Sequence, residues 1–358
     1  MKYLYALPLL LLLLTSCKDE KKEAEEQAID FAKTDWATHK LKGKVKSFSE
    51  KSYTYASSVK GAFGNENQKL DIDIAFNSRG MQLSEKKYNG AGIAEENTYD
   101  GKKNLVKTVQ YINGKPGIIT QYSRDKRGNV TSIIRRDKSN AQIDRVEMKF
   151  EGKNMVEKTT YNNQDHPIDM NTYAYDKKGN MTGESVFMGT HSAKVRATYE
   201  YDEKGHKIGE IRYTEDKITD KTAYVYENEK LISKKTTDGN GIIEFSENST
   251  YDKDGNLTNY FRYEKLSNSR IEENYTYDSN KNMLSFLVKE NDKPVLKTLY
   301  TYDNNNNLIS VISTDGAGKL LDKRSYTYQY DENNNWTKKT VDIKGEPAFI
   351  LERTYSYY

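Results

Sequence analysis

Tyr251-Asp252-Lys253-Asp254-Gly255-Asn256-Leu257-Thr258-Asn259-Tyr260 is the stretch whose reading decides the fold. Asp252 suits the first position of a type I turn, where its carboxylate accepts backbone N–H groups two residues on. Gly255 suits the fourth, where a left-handed residue closes the loop as a bulge. The aromatic residue before the aspartate ends one strand, and Leu257 begins the next. Asp176 with Gly179 and Asp202 with Gly205 repeat the same turn chemistry.

Outward from this stretch the pattern recurs. The anchor position is occupied by Asn77, Asp100, Asp125, Glu151, Asp176, Asp202, Glu227, Asp252, Asp278, Asp303 and Asp331, spaced 23 to 28 and mostly 25 or 26 residues apart. A tyrosine or phenylalanine precedes every anchor except Asp125, where Arg124 stands. An apolar residue such as Met181, Leu257 or Trp336 follows most anchors by four or five positions. A fixed period of this length predicts a repeat architecture in which each unit stacks on its neighbours.

The first 16 residues carry Lys2 and then an apolar run from Leu4 to Leu14, too short to span a bilayer and of the length of a secretory leader. It ends in Leu14-Thr15-Ser16-Cys17, which resembles the lipobox of bacterial lipoproteins. That resemblance implies that Cys17, the sole cysteine, is acylated and becomes the first residue, with the membrane as its partner. Several acyl chains anchor stably where one does not. The charged stretch Lys18–Glu23 reads as a tether, and it also resembles signals that send lipoproteins to the outer face of Gram-negative cells. The expected place is therefore the outer membrane, on its periplasmic or surface side. Residues 17–40 comprise the lipidated cysteine, the tether and a short helix within Glu23–His39 that sets Ile29, Ala32 and Trp36 on one side.

Residues 41–358 form one repeat domain. Tyr300 and Tyr302 lie two apart and share a face, with Leu299 and Thr301 on the other, and Tyr275/Tyr277 repeats the arrangement. Second turns such as Asp238-Gly239-Asn240-Gly241 and Asn113-Gly114 lie between the anchors, so each 25-residue unit holds about two strands. The expectation is an all-β chain, a long antiparallel meander sheet, coiled or partly rolled, with a short N-terminal helix. A propeller of fifty-residue blades is the rival.

Hydrophobic residues are 35% of the chain, below the roughly 45–50% of globular domains, so a thick sandwich core is not expected. Mean hydropathy is −0.93, yet the net charge is only +3 and 29 tyrosines recur at a regular period, which does not suit disorder. Loss of Lys2 with the leader leaves 55 basic residues against 53 acidic ones, a net +2, and gives no case for nucleic acid.

The Tyr-Asp-x-x-Gly-Asn-Leu pattern of Tyr175–Met181, Tyr201–Gly205 and Tyr251–Leu257 resembles the YD repeats of Rhs proteins and teneurins, and the related repeat lipoproteins of bacterial surfaces. The resemblance implies a spiralling antiparallel sheet. The period here is longer than the usual YD spacing, and nothing resembles the Rhs core or a C-terminal toxin, so toxin delivery does not carry over.

No catalytic pattern is present. His39, His166, His191 and His206 are scattered, and without further cysteine neither a metal site nor a cofactor is expected. Gly-x-Ser-x-Gly, Gly-x-Gly-x-x-Gly and P-loop patterns are absent. Tyr275, Tyr277, Tyr300 and Tyr302 are the candidate binding residues, since tyrosine offers an apolar face and a polar tip to a sugar ring. Against this, tyrosine is a favoured strand residue that packs across strands. The expected function is a surface-anchored, non-catalytic binding or structural module for polysaccharide or a protein partner. The alternative is a carbohydrate-active enzyme working through carboxylates.

Overall fold

The computed structural model describes residues 29–54, 71–90, 92–187 and 194–358. The leader, Cys17 and the tether lie outside the described residues. Among those described, 24 strands make one antiparallel sheet in which each strand pairs with its neighbours in sequence. The first strand, Val45–Thr54, pairs antiparallel with both the second, Asp71–Phe76, and the last, Glu346–Tyr357. The sheet is therefore a closed barrel.

Closure corrects the expectation of a coiled or partly rolled meander; the all-β class and the sequential pairing stand. Three features close the sheet. Almost every hairpin carries a register shift, as between Thr250 and Tyr251, and such bulges bend and twist a strand. Adjacent units are also staggered: Tyr275 is opposite Phe286 and Phe286 opposite Thr298, two residues short of Tyr300. Tyr199, Glu210 and Thr222 step by the same amount short of Tyr224, and a constant stagger is the shear a barrel needs. Finally, an even number of strands brings the last beside the first in opposite direction, where both edges would otherwise stay unpaired.

The seam is where the apolar core gathers. Trp36, Leu41, Val45, Phe48, Ile74 and Phe76 form its buried cluster, with Tyr355 and Tyr357 packed against it. Of the stretch expected to hold the N-terminal helix, the described part carries a 3-10 turn, Phe31–Lys33, then one turn of α-helix, Asp35–Thr38, whose cap Thr34 accepts from the Ala37 amide. Trp36 from that turn donates its indole N–H to the Val45 carbonyl at 2.7 Å. Gly80 makes room for it, since a Cβ there would lie 2.5 Å from the indole. Burying Trp36 and Phe48 contributes about 2–3 kcal/mol each. Elsewhere few side chains are fully buried, and the wall is held mainly by ladder hydrogen bonds and cross-strand pairs.

Candidate binding surface: the tyrosine-lined inner face

The repeating turn builds one rim. The Asp252 amide donates to the Asn256 carbonyl and the Gly255 amide to the Asp252 carbonyl, both at 3.0 Å. Oδ1 of Asp252 accepts from the amides of Asp254 and Asn256, and Oδ2 accepts the Asn256 side-chain amide at 2.9 Å. Asp176 bonds Lys178 and Asn180 in the same manner, and Asp202 bonds Lys204 and His206. Side-chain and backbone N–H donors hold the Asp252 carboxyl below its usual range, so it stays ionised as a turn clamp. Gly179, Gly205 and Gly255 have φ of +87°, +90° and +82°, while Lys281 and Asn306 occupy the same place at +66° and +61°.

The two faces of the wall differ in exposure. Along Lys293–Tyr302, Leu296, Thr298, Tyr300 and Tyr302 are buried or half-buried, whereas Val295, Lys297, Leu299 and Thr301 are exposed. Along Lys217–Glu227, Thr222, Tyr224 and Tyr226 alternate in the same way with exposed Lys221, Ala223 and Val225. Side chains on the concave side of a closed sheet converge and shield one another, so the tyrosine face lines the lumen. Tyr275, Tyr277, Tyr300 and Tyr302 all lie on it, half-buried. The stagger sets them on an oblique line rather than side by side.

This face is polar as well as aromatic. Glu210 accepts from Lys207 and Arg212 at 2.6 Å and from the Tyr224 hydroxyl at 2.9 Å. Burial pushes its pKa up, but these three partners outweigh burial and hold it at about 2. Lys207 also lies over the Tyr199 and Tyr224 rings, and Lys339 over those of Tyr326 and Tyr328. Tyr260 donates to Glu247, and Tyr275 to Glu273 beside the Phe286 ring. Burial and these carboxylates push both phenols well above their usual range.

Many tyrosines have a second task. The Tyr175 hydroxyl donates to the Met155 carbonyl at 2.8 Å and that of Tyr251 to the Leu231 carbonyl at 3.1 Å, each reaching the preceding unit. Arg124, the one exception before an anchor, takes this place through its bond to the Leu105 carbonyl at 3.2 Å. The lumen carboxylate Glu210 and the seam pair Glu50–Arg353 escaped sequence reasoning, because neither occupies a repeated position of the motif. No group of three His, Cys, Asp or Glu among the described residues is placed to hold a metal ion.

No protein-family model matches the chain, and no curated protein matches it. Among solved structures it is similar to the crystal structure of TcdB2-TccC3-TEV, with 13% identity over 81% of this chain and 18% of that one, at a TM-score of 0.44. It is similar also to the Photorhabdus luminescens Tc holotoxin pore, at 14% identity, 85% and 16% coverage and TM-score 0.35. A porin-like protein from Bacteroides uniformis matches at 8% identity, 87% and 98% coverage and TM-score 0.23. The chain spans less than a fifth of the length of the two Tc structures.

Proposed function

We propose that this chain is a lipid-anchored, non-catalytic barrel of the bacterial outer membrane whose inner face binds polysaccharide. The observation that carries the reading is the lumen face itself, where half-buried aromatic rings recur in every unit among Glu, Lys, Arg and Asn partners. Rings that stack and polar groups that bond hydroxyls are what a sugar chain requires. Contacts repeated along the wall add through multivalency, so affinity rises with ligand length. Anchoring rests on Cys17 and its lipobox-like context. Outward-facing Lys221, Lys297 and Thr301 suit water better than the apolar band of a spanning barrel. Carboxylates such as Glu210, Glu272 and Asp303 are held below their usual range, the reverse of what a glycosidic general acid needs.

The test is affinity electrophoresis of the detergent-solubilised full chain in gels containing polysaccharides of graded length. Retention should grow with length, and changing Tyr275, Tyr277, Tyr300 and Tyr302 together to Ala should weaken it more than changing either pair. Equal mobility in every gel would end the binding reading. Turnover of a polysaccharide that is lost with one carboxylate would replace it with the enzyme. Cys17→Ala should abolish incorporation of labelled fatty acid.

A further inference from the structure

A cavity of about 710 Å³ opens at the seam, between the N-terminal segment and two consecutive anchor turns. That volume lies within the roughly 300–1,000 Å³ of small-ligand sites. Phe31 and Ala37–Lys42 form one side, and Asn305–Asn307 and Asn334–Asn335 the other, with Trp336 and Arg353 between them. Tyr330 and Tyr355 of the inner face also line it, whereas none of the four candidate tyrosines does.

Its chemistry is specific. No carboxylate lines it. Its one deeply placed cation, Arg353, is neutralised by Glu50 at 2.7 Å and stacked over the Trp336 ring at 4.1 Å. Asn335 is spent on the wall, bonding both backbone groups of Lys42 and the Tyr357 hydroxyl. Asn307 is spent on Asp303 and Tyr330. The exposed side-chain amide of Asn334 forms no hydrogen bond with the described residues, and Asn306 uses only its oxygen, which accepts from Asn280 and Asn282. Amide donors and acceptors, aromatic rings and the exposed Lys40 and Lys42 favour a neutral or acidic polyhydroxylated ligand and disfavour a cation.

We infer that this cavity is a second saccharide site, one that takes a short oligosaccharide or the end of a longer chain. The inference deepens and rests on the polysaccharide-binding reading, with the cavity as a capturing site at the seam end of the inner face. Its occupant would touch both the N-terminal segment and the anchor turns, so binding there would also brace the seam.

The chain has two tryptophans, and both belong to this corner: Trp336 lines the cavity and Trp36 is buried in the segment beside it. Tryptophan emission of the detergent-solubilised full chain therefore reports on the site. Titration with cellotriose, chitotriose and trigalacturonate should give a saturable change with at least one of them. Asn306→Gly combined with Asn334→Gly should weaken that titration at least tenfold. Glycine keeps both turns, because each asparagine has φ of +61°. Changing Tyr275 and Tyr300 to Ala should leave it unaltered while reducing retention on long polysaccharide. Retention without any emission change, or with undiminished titration of the double glycine variant, would overturn the cavity assignment and leave the lumen reading standing. Emission change without retention would support the cavity and overturn the lumen reading, and silence in both assays would overturn both.

Discussion

At the scale of the residue, the anchor turn does its work through a small set of atoms. Gly255 sits at φ +82°, and a Cβ there would lie 2.5 Å from the Lys230 ammonium, whose side chain reaches across to the Gly255 carbonyl. Gly255→Val should therefore cost roughly 1–2 kcal/mol in a denaturant melt. The accompanying rise in hydrogen exchange should stay in the two hairpins on either side. His206 shows what one substitution in the turn adds. It stands where other units have asparagine, and its ring bonds Asp202 at 2.8 Å and Glu229 at 2.6 Å while stacking on Tyr226. Lys204 also bonds Glu229 at 2.9 Å. The bonds to Asp202 and Glu229 raise the imidazole above its ordinary 6.5. A raised folded-state value means the rung stabilises fully below about pH 6.5 and fades as pH climbs through the raised value. Against His206→Asn, the melting-temperature advantage of the native chain should be largest near about pH 6 and shrink as the pH rises from there.

At the scale of the element, each hairpin has a dry-leaning face and a wet one, and the dry-leaning face must satisfy its charges internally. Glu210 on Lys207–Thr214 is the clearest instance, gathering Lys207, Arg212 and the Tyr224 hydroxyl of the next strand. Glu210→Gln keeps the shape and leaves two cations without their shared anion. It should cost about 1–3 kcal/mol, whereas the outward-facing Glu200→Gln should stay within about 0.5 kcal/mol. Equal losses at the two sites would show that the lumen is as wet as the outside. The strand pairs themselves were legible: alternation of tyrosine with threonine in Tyr275–Tyr277 and Tyr300–Tyr302 marks two faces in any antiparallel sheet. Which face would turn inward was not legible, since Leu299 and Val225 are apolar and yet lie outside.

At the scale of the whole molecule, stability depends on the ring being closed. Arg353 bonds the buried Glu50 across the seam and lies over Phe48, so Arg353→Glu would set two carboxylates together in an apolar corner. The expected cost exceeds about 3 kcal/mol. Exchange should rise first in Val45–Thr54 and Glu346–Tyr357, and the radius of gyration measured by X-ray scattering should grow. A variant as compact as the native chain would mean that ladder hydrogen bonds alone hold the seam. Strand parity gives a second test. Deleting Asp252–Tyr277 removes two strands and joins Tyr251 to Asp278, which preserves both the motif and the antiparallel seam, so a smaller closed barrel should fold. Deleting 252–264 removes one strand, reverses every later one and should yield aggregates.

The sequence by itself determined the all-β class, the two-strand unit and the turn chemistry. These are local matters, settled by a left-handed position three residues after every anchor but Glu151 and Glu227, where it falls within the first two residues, and by period-two alternation within a few residues. The tertiary structure alone decided closure, the lumen and the cavity at the seam. Closure depends on a stagger of two residues per unit accumulated around 24 strands and on contacts such as Glu50–Arg353 that lie 303 residues apart. No single repeat encodes that sum. A slightly different twist per unit would leave the same motif winding into an open coil, and only the meeting of the first and last strands selects the ring.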